Sequence, residues 1–134
     1  MDMYRTLRSA ALMGDIQTIR RLLELHVDVN AATPGGNTAL LYAALHGFTE
    51  IASLLLQAGA DIDAANETGY TPLICAAAHG HTDTVRLLLA AGADTTRRTA
   101  VGVDPDIAED CSARDMAVAG GHLAIVALLD AERQ

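Results

Sequence analysis

An internal repeat is the feature that most limits what this sequence can fold into. When the stretch 38–70 is shifted by 33 positions, its residue types recur from Thr71 onward. The same offset reaches back to Leu7, and the register returns after 41 residues at Ser112. Tandem units of this size predict an array in which each unit packs against its neighbours. We expect a single domain, 1–134, made of a cap at about 1–36, units at 37–69 and 70–110, and a second cap at 111–134.

Each unit has the pattern of two short helices joined by a turn. In the central unit, apolar residues recur at helical spacing on both sides of Gly47. Thr38 stands where an N-cap hydroxyl is needed, and Pro72 opens the matching helix of the next unit. Because so small a helix pair cannot bury its Leu and Ala face alone, neighbouring pairs must stack. The expected fold class is all-α, a solenoid of helix-turn-helix units with short hairpin-like connections, which we call fingers.

The repeated unit resembles the ankyrin repeat. Thr71-Pro72-Leu73 opens a helix, and Leu87-Leu88-Leu89 precedes Gly92-Ala93-Asp94. The resemblance implies an ankyrin-repeat solenoid in which the finger tips and the first helix of each unit form a concave surface that binds partner proteins. Carried over by position, it implies contacts from Tyr4, Leu12, Met13, Asn37, Leu45, His46, Glu67, Tyr70 and His79, with Tyr4, Asn37, Glu67 and Tyr70 at finger tips.

Several positions depart from the ankyrin pattern. The histidine that usually follows the motif leucine is replaced by Arg8, Leu41, Ile74 and Asp115. The polar network that this histidine makes in the family is therefore expected to be absent. His26 stands at a helix stop filled elsewhere by glycine, which predicts a strained left-handed residue. Arg114 and Asp130 replace motif leucines in the last unit, as expected of a terminal repeat with one uncovered face.

The finger between the third and fourth units carries an insertion at about 101–110. It holds four carboxylates, at Asp104, Asp106, Glu109 and Asp110. We expect Asp104, Asp106 and Ile107 to form a secondary contact zone for a partner. A calcium loop is the less favoured alternative because the carboxylates lack its regular spacing. A solvated loop held in part by Arg97 and Arg98 is the other alternative.

Charge and composition exclude several other classes of function. The formal net charge of −8 argues against nucleic acid as a partner, because that binding depends on basic residues. No run of about 18 apolar residues indicates a membrane span, so we expect no membrane partner. The N-terminal segment lacks the apolar core of a signal peptide, which favours a cytoplasmic location. All nine basic residues are arginine, a usage that suggests a GC-rich bacterial genome.

The sequence contains no recognised catalytic or metal-binding arrangement. Cys75 and Cys111 form neither a disulfide framework nor a metal motif, so two reduced thiols are expected. His46 and His79 are equivalent residues of neighbouring units, roughly 10 Å apart, which is too far to share a metal ion. Tyr42 and Cys75 are interpreted as core residues, and Phe48 as structural. We therefore expect no cofactor, no metal and no enzymatic activity.

The sequence thus predicts a monomeric, non-catalytic module that binds a partner protein through a rigid concave surface. The alternative is a regulator that responds to a small ligand or metal through the histidines and the acidic insertion. An enzyme with an unfamiliar site is a third hypothesis, for which no set of residues can be named. Stabilisation by calcium, zinc or a metabolite would separate the second hypothesis from the first.

Overall fold

The computed structural model describes residues 2–102 and 109–132 of the 134-residue chain. This part of the protein contains α-helices and no β-strand, apart from one isolated bridge between Arg98 and Ser112. The predicted all-α solenoid is confirmed. Its helices are α1 (Met3–Met13), α2 (Ile16–Glu24), α3 (Ala39–His46), α4 (Thr49–Gln57), α5 (Pro72–Ala78), α6 (Thr82–Ala90), α7 (Ala113–Ala119) and α8 (Leu123–Ala131).

The first helix of each unit starts at a side-chain cap. The Thr38 hydroxyl accepts a hydrogen bond from the Leu41 amide, and the equivalent Thr71 hydroxyl accepts from the Ile74 amide, both at 3.2 Å. Such caps satisfy amides that have no partner inside the helix. Pro72 occupies the first turn of α5, where its missing donor is not needed. The predicted helix starts at Thr38 and Thr71 are confirmed.

Left-handed residues end the helices where the repeat predicts them. Gly47 follows α3 with φ 71°, and Gly80 follows α5 with φ 75°. His26 takes φ 55° after α2, so the predicted left-handed histidine is confirmed. An L-residue in this region carries strain, because its Cβ approaches the following carbonyl oxygen. The fold therefore forces His26 into a conformation that glycine adopts freely at Gly59 and Gly92.

The helices pack in two rows. The inner row consists of α1, α3, α5 and α7, and the outer row consists of α2, α4, α6 and α8; each helix contacts its equivalent in the next unit and its partner in its own unit. The core between the rows is built of leucine, isoleucine, valine and alanine. Ala43, Ala44, Ala76 and Ala77 are fully buried, which lets the inner helices approach one another closely.

Backbone hydrogen bonds join successive fingers. The Glu67 amide donates to the Gly35 carbonyl at 2.9 Å, and the Ala100 amide donates to the Thr68 carbonyl at 2.9 Å. These two bonds are repeat equivalents, because each donor and each acceptor recurs after 33 residues. The fingers are thus held in register with the helices below them.

A second set of bonds joins the loops beneath the outer row. The Asn30 side chain accepts from the Asp61 amide at 2.7 Å and donates to the Gly59 carbonyl at 3.1 Å. One repeat later, Asp63 accepts from the Asp94 amide at 2.9 Å. Stacking is therefore supported by periodic polar contacts on both sides of the apolar core.

Candidate protein-binding surface

The inner row leaves one line of side chains open to solvent. Met13, His46 and His79 occupy equivalent positions at the C-terminal ends of α1, α3 and α5, and all three are exposed. Beside them lie Leu12, which is 43% exposed, and the half-buried Leu45. Because the repeat places equivalent residues one above another, these side chains form a line along the inner row. Tyr70 lies beside this line on the finger that precedes α5. We call Leu12, Met13, Leu45, His46, Tyr70 and His79 the inner strip.

A groove opens on the inner strip between the second and third units. Its floor contains Leu41 and Cys75, which are buried, and Tyr42 and Leu45, which are half-buried. The finger side of the groove is polar. The cavity measures about 280 Å³ and is lined by Asn37, Leu41, Tyr42, Leu45, Asn66, Thr68, Tyr70, Cys75 and His79.

The Asn66 side chain organises the finger wall of the groove. Its Nδ2 donates to Asn37 Oδ1 at 3.0 Å, which links two successive fingers. Its Oδ1 accepts from the amides of Thr68 and Tyr70, each at 3.1 Å, and from the Thr68 hydroxyl at 2.8 Å. Such a side-chain bond to nearby amides stabilises a tight turn. The wall is consequently fixed before any partner arrives.

Two histidines tie the inner helices together behind the strip. The His81 ring donates through Nε2 to the Leu45 carbonyl at 2.8 Å, and His122 donates in the same way to the Ala78 carbonyl at 3.2 Å. Each bond crosses from one unit to the one before it. Polar contacts between units are therefore made by His81 and His122, which stand at a different repeat position from the missing motif histidine.

The aromatic and imidazole rings along this edge lie close together. His46 stacks on Phe48 with ring centroids 5.8 Å apart, and His79 stacks on His81 at 6.3 Å. Burial lowers the pKa of His79 below its usual value, and the nearby His81, His46 and His122 lower it further. A lowered pKa keeps the His79 imidazole neutral near pH 7. The exposed end of the strip is thus weakly polar rather than cationic.

The structure brings some of the predicted contact residues together. Asn37, Leu45, Tyr70 and His79 line the groove. Exposed residues at its borders are His46 on α3 and Glu67 on the finger tip, while Leu12 and Met13 continue the strip on α1. The expectation of a finger-tip Tyr4 is wrong, because α1 starts at Met3 and places Tyr4 in its first turn. The predicted contacts Asp104, Asp106 and Ile107 lie outside the described residues.

The base of the insertion is held by one arginine. Arg98 donates through Nε to Asp110 Oδ1 at 2.8 Å and through a terminal nitrogen to the Asp110 carbonyl and to Asp115. Arg97 pairs with Asp94 of its own unit. Arg98 thus joins the residues before the insertion to Asp110 at its end and to Asp115 in α7.

Five residues of the groove were not among the sequence-predicted contacts, and one of them is the buried Leu41. Tyr42 and Cys75 were interpreted as core, yet both line the floor of the groove. Burial raises the pKa of the Cys75 thiol to about 12, so the thiol stays protonated and behaves as a small apolar group. Asn66 and Thr68 form the wall. The Asn-x-Thr turn signal at the finger tip could have identified this pair.

The described residues contain no group of three or more His, Cys, Asp or Glu side chains placed to hold a metal ion. In the ranges 2–102 and 109–132, no helix has the length and apolar character needed to cross a bilayer. The inner strip and its groove are therefore the surface on which a functional interpretation rests.

Similarity to a known protein family bears on the role of this surface. The family model described as ankyrin repeats, three copies, matches residues 7–99, which is more than half of the chain. The chain belongs to the ankyrin-repeat family. Ankyrin repeats generally act as protein–protein interaction modules, and the family is typically non-enzymatic. The match ends before α7, so the fourth helix pair of this ankyrin-repeat chain lies beyond it. A comparison with curated proteins gave no match.

Proposed function

We propose that this ankyrin-repeat chain is a non-catalytic module that binds a partner protein along the inner strip. The observation that carries the proposal is the exposure, in register, of apolar and ring-bearing side chains on one row of helices. Leu12 and Met13 are 43% and 77% exposed, although large apolar side chains are usually covered in a protein. Apolar side chains that lie together on a surface, such as Leu12 and Met13 in line with the rings of His46 and His79, are typical of an interaction site.

The composition of the strip supports binding to protein rather than to a charged ligand. Tyrosine, leucine, methionine and histidine supply its side chains, and no lysine, arginine, aspartate or glutamate interrupts them. The centre of a protein interface is depleted in charge and enriched in aromatic residues and methionine. Because His79 is neutral near pH 7, its burial by a partner requires no loss of ionic hydration.

Rigidity is the second property on which the proposal depends. The helices of the inner row are joined by buried alanines and by the His81 and His122 hydrogen bonds. The finger wall is fixed by Asn66. A surface that is already ordered loses little conformational freedom when a partner binds, which favours affinity. The insertion residues Asp104, Asp106 and Ile107 are proposed as a secondary contact zone on the finger side.

The test replaces two strip residues and measures binding and stability together. We expect the double variant His46→Ala with Tyr70→Ala to lose about tenfold or more in affinity for the natural partner, because aromatic contacts often dominate interfaces. Loss of the exposed His46 should leave the melting temperature nearly unchanged, and loss of the half-buried Tyr70, which packs against the core, should lower it by only a few degrees. Leu25→Ala is the matched control, since Leu25 is 60% exposed at the end of α2 in the outer row.

Three outcomes would count against the proposal. Equal binding by the double variant and the wild-type chain would place the contact surface elsewhere. Parallel loss of binding and of folding would mean that the two side chains are parts of the core. A proportionate loss of binding in the Leu25→Ala control would point to the outer row instead.

We also propose that the protein acts as a cytoplasmic monomer. Cys75 and Cys111 are unpaired thiols, which is the usual state in a reducing compartment. The formal net charge of −8 opposes self-association by mutual repulsion. Light scattering after gel filtration should give the monomer mass of 14.0 kDa, and cell fractionation should place the protein in the cytoplasm. A dimer mass or a membrane-associated fraction would contradict this part of the proposal.

A further inference from the structure

The groove of the inner strip is uncharged along its whole lining. Its floor is formed by leucine, tyrosine and a protonated cysteine, and its wall by asparagine, threonine and tyrosine. A charged side chain placed there would lose its hydration without gaining a counter-ion. An apolar side chain would instead cover the exposed parts of Leu45 and Tyr42 and gain from burial. The groove therefore suits a large uncharged side chain.

The polar groups of the groove suit a peptide main chain. The Tyr70 hydroxyl and the His79 ring make no hydrogen bond to any other described residue. Both lie at the border of the groove, where they can donate to carbonyl oxygens of an extended segment. Burial raises the pKa of Tyr70, so its hydroxyl keeps its proton and remains a donor.

Two carboxylates without ionic partners among the described residues lie on the fingers beside the groove. Glu67 is exposed on the finger tip between the groove residues Asn66 and Thr68. Glu109 is exposed on the next finger, which is joined to the first by the bond from the Ala100 amide to the Thr68 carbonyl, and its carboxylate accepts only the Gly102 amide within the described part of the chain. An electronegative border beside an uncharged groove is complementary to a segment that carries both apolar and basic residues.

The arginines near this border do not neutralise it. Arg97 is paired with Asp94, and Arg98 is paired with Asp110 and Asp115. Both guanidinium groups therefore already have carboxylate partners of their own. The carboxylates of Glu67 and Glu109 remain available to an incoming cation, and the negative charge of the whole chain adds attraction at longer range.

From this arrangement we propose that the groove binds a basic, extended peptide segment of the partner. One large apolar side chain of that segment enters the groove over Leu45, and flanking lysine or arginine residues lie against Glu67 and Glu109. This inference rests on the proposed protein-binding function and adds the chemistry of the bound segment. Alternative occupants, an acidic segment or a second copy of this chain, are outcomes that the test distinguishes.

The first experiment uses the full chain to select from an unbiased displayed library of linear peptides. We expect the enriched peptides to place a large apolar residue close to two or more lysines or arginines. One enriched peptide is then synthesised with its apolar residue changed to serine, or with its basic residues changed to glutamate. Each change should weaken binding by about tenfold or more.

The second experiment changes only the protein. The double variant Glu67→Gln with Glu109→Gln should bind the basic peptide about three- to tenfold more weakly than the wild-type chain at low salt. This difference in affinity should shrink as the salt concentration rises. Glu24→Gln with Glu132→Gln removes the same charge from exposed positions on the outer row and is the matched control. We expect this control to bind like the wild-type chain. Both variants should keep the wild-type melting temperature.

The possible outcomes separate this inference from the proposed function. Enrichment of acidic or uncharged peptides, equal losses in the two double variants, selection of no peptide at all, or concentration-dependent dimerisation through the groove would each overturn it. The proposed function is judged independently, by the loss of natural partner binding in the variant with alanine at His46 and Tyr70. If basic peptides are not selected but the His46 and Tyr70 double variant still loses binding to the natural partner, only the proposed basic character of the bound segment is refuted.

Discussion

Arg114 on α7 grips Asp130 on α8 with two hydrogen bonds, Nε to Oδ1 at 2.6 Å and a terminal nitrogen to Oδ2 at 3.3 Å. In the preceding unit the equivalent positions are Leu73 and Leu89. Both side chains are half-exposed, so leucines at these positions would be partly exposed to water. The polar pair therefore keeps α7 and α8 together at a position that water can reach.

The ion pair between Arg114 and Asp130 predicts that leucine substitutions at these two positions have non-additive effects on the melting temperature. Arg114→Leu and Asp130→Leu should each lower the melting temperature by roughly 1–3 °C, because each removes one partner of a half-exposed pair. The double variant should recover most of that loss by restoring the apolar contact. It should also self-associate more, since two half-exposed polar side chains become apolar. Additive melting losses without association in gel filtration would contradict this explanation of the pair.

Alanine substitution of the glycines between paired helices should lower the free energy of unfolding by an amount that differs from one glycine to another. A Cβ atom at Gly47 would lie 2.5 Å from Nδ1 of His81, whereas one at Gly121 would meet nothing within 4 Å. The two residues have nearly equal φ angles, 71° and 72°, so their backbone strain is matched. We expect Gly121→Ala to cost about 1 kcal/mol and Gly47→Ala about 2–4 kcal/mol.

Urea unfolding of both variants measures this difference, and Gly14→Ala provides an intermediate case. A Cβ atom at Gly14 would lie 3.0 Å from the Phe48 ring, which is a milder overlap than the one at Gly47. Equal losses of stability in all three variants would mean that contact with a ring of the following unit does not select glycine at these positions. The left-handed backbone conformation alone would then explain the glycines.

The hydrogen bond of His81 predicts a loss of stability that an exposed histidine does not share. His81→Ala removes the donor that satisfies the Leu45 carbonyl, and we expect a cost of about 1–2 kcal/mol. His46→Ala removes an exposed ring with no hydrogen bond to the described residues and should change stability by less than about 0.5 kcal/mol. Chemical denaturation of the two variants gives the comparison. A larger effect at His46 would contradict the structural role of His81.

The lowered pKa of His79 predicts the direction of a pH effect. The unfolded chain binds a proton near the ordinary value of 6.5, whereas folded His79 binds it at lower pH. Stability from this group is therefore present above pH 6.5 and lost as pH falls through the folded pKa. His79→Asn should flatten the decline between pH 7 and 5. Proton NMR should give His79 a midpoint below 6.5, and His81→Gln should raise that midpoint.

Carboxylates act in a separate pH range. Hydrogen bonds from Thr18 and Thr96 lower the pKa of Asp15 and Asp94 respectively, below their usual value of 3.8. Their contributions are present above pH 3.8 and are lost only as pH falls through the lowered values. A decline between pH 7 and 5 that is unchanged in His79→Asn would therefore contradict the role given to the histidine, because these carboxylates cannot produce it.

Local structure could be predicted from the sequence at positions that recur with the 33-residue period. Thr38 and Thr71 cap their helices, Pro72 opens α5, and His26 is left-handed, all as predicted. Each of these features depends on a few neighbouring backbone dihedral angles. A residue type at a fixed repeat position is then sufficient to identify it.

Contacts between units were harder to predict because they depend on packing distances. The bond from His81 to Leu45 spans 36 residues, and Arg114 meets Asp130 only when α7 and α8 pack. Cys75 looked like core by its position, yet one side of it lines the groove. Periodicity indicates which face of a helix points inward, but the opening between two fingers depends on their exact separation.

Site-specific photo-cross-linking to the natural partner tests the central claim most directly. A photoreactive residue is placed at Met13, His46 or His79 on the inner strip, and at the exposed outer-row positions Gln57 or Ala90 for comparison. We predict that all three strip positions form adducts with the same partner protein and that the outer-row positions form none. Adducts from Gln57 or Ala90, with no adduct from the strip, would contradict the assignment of the inner strip as the binding surface.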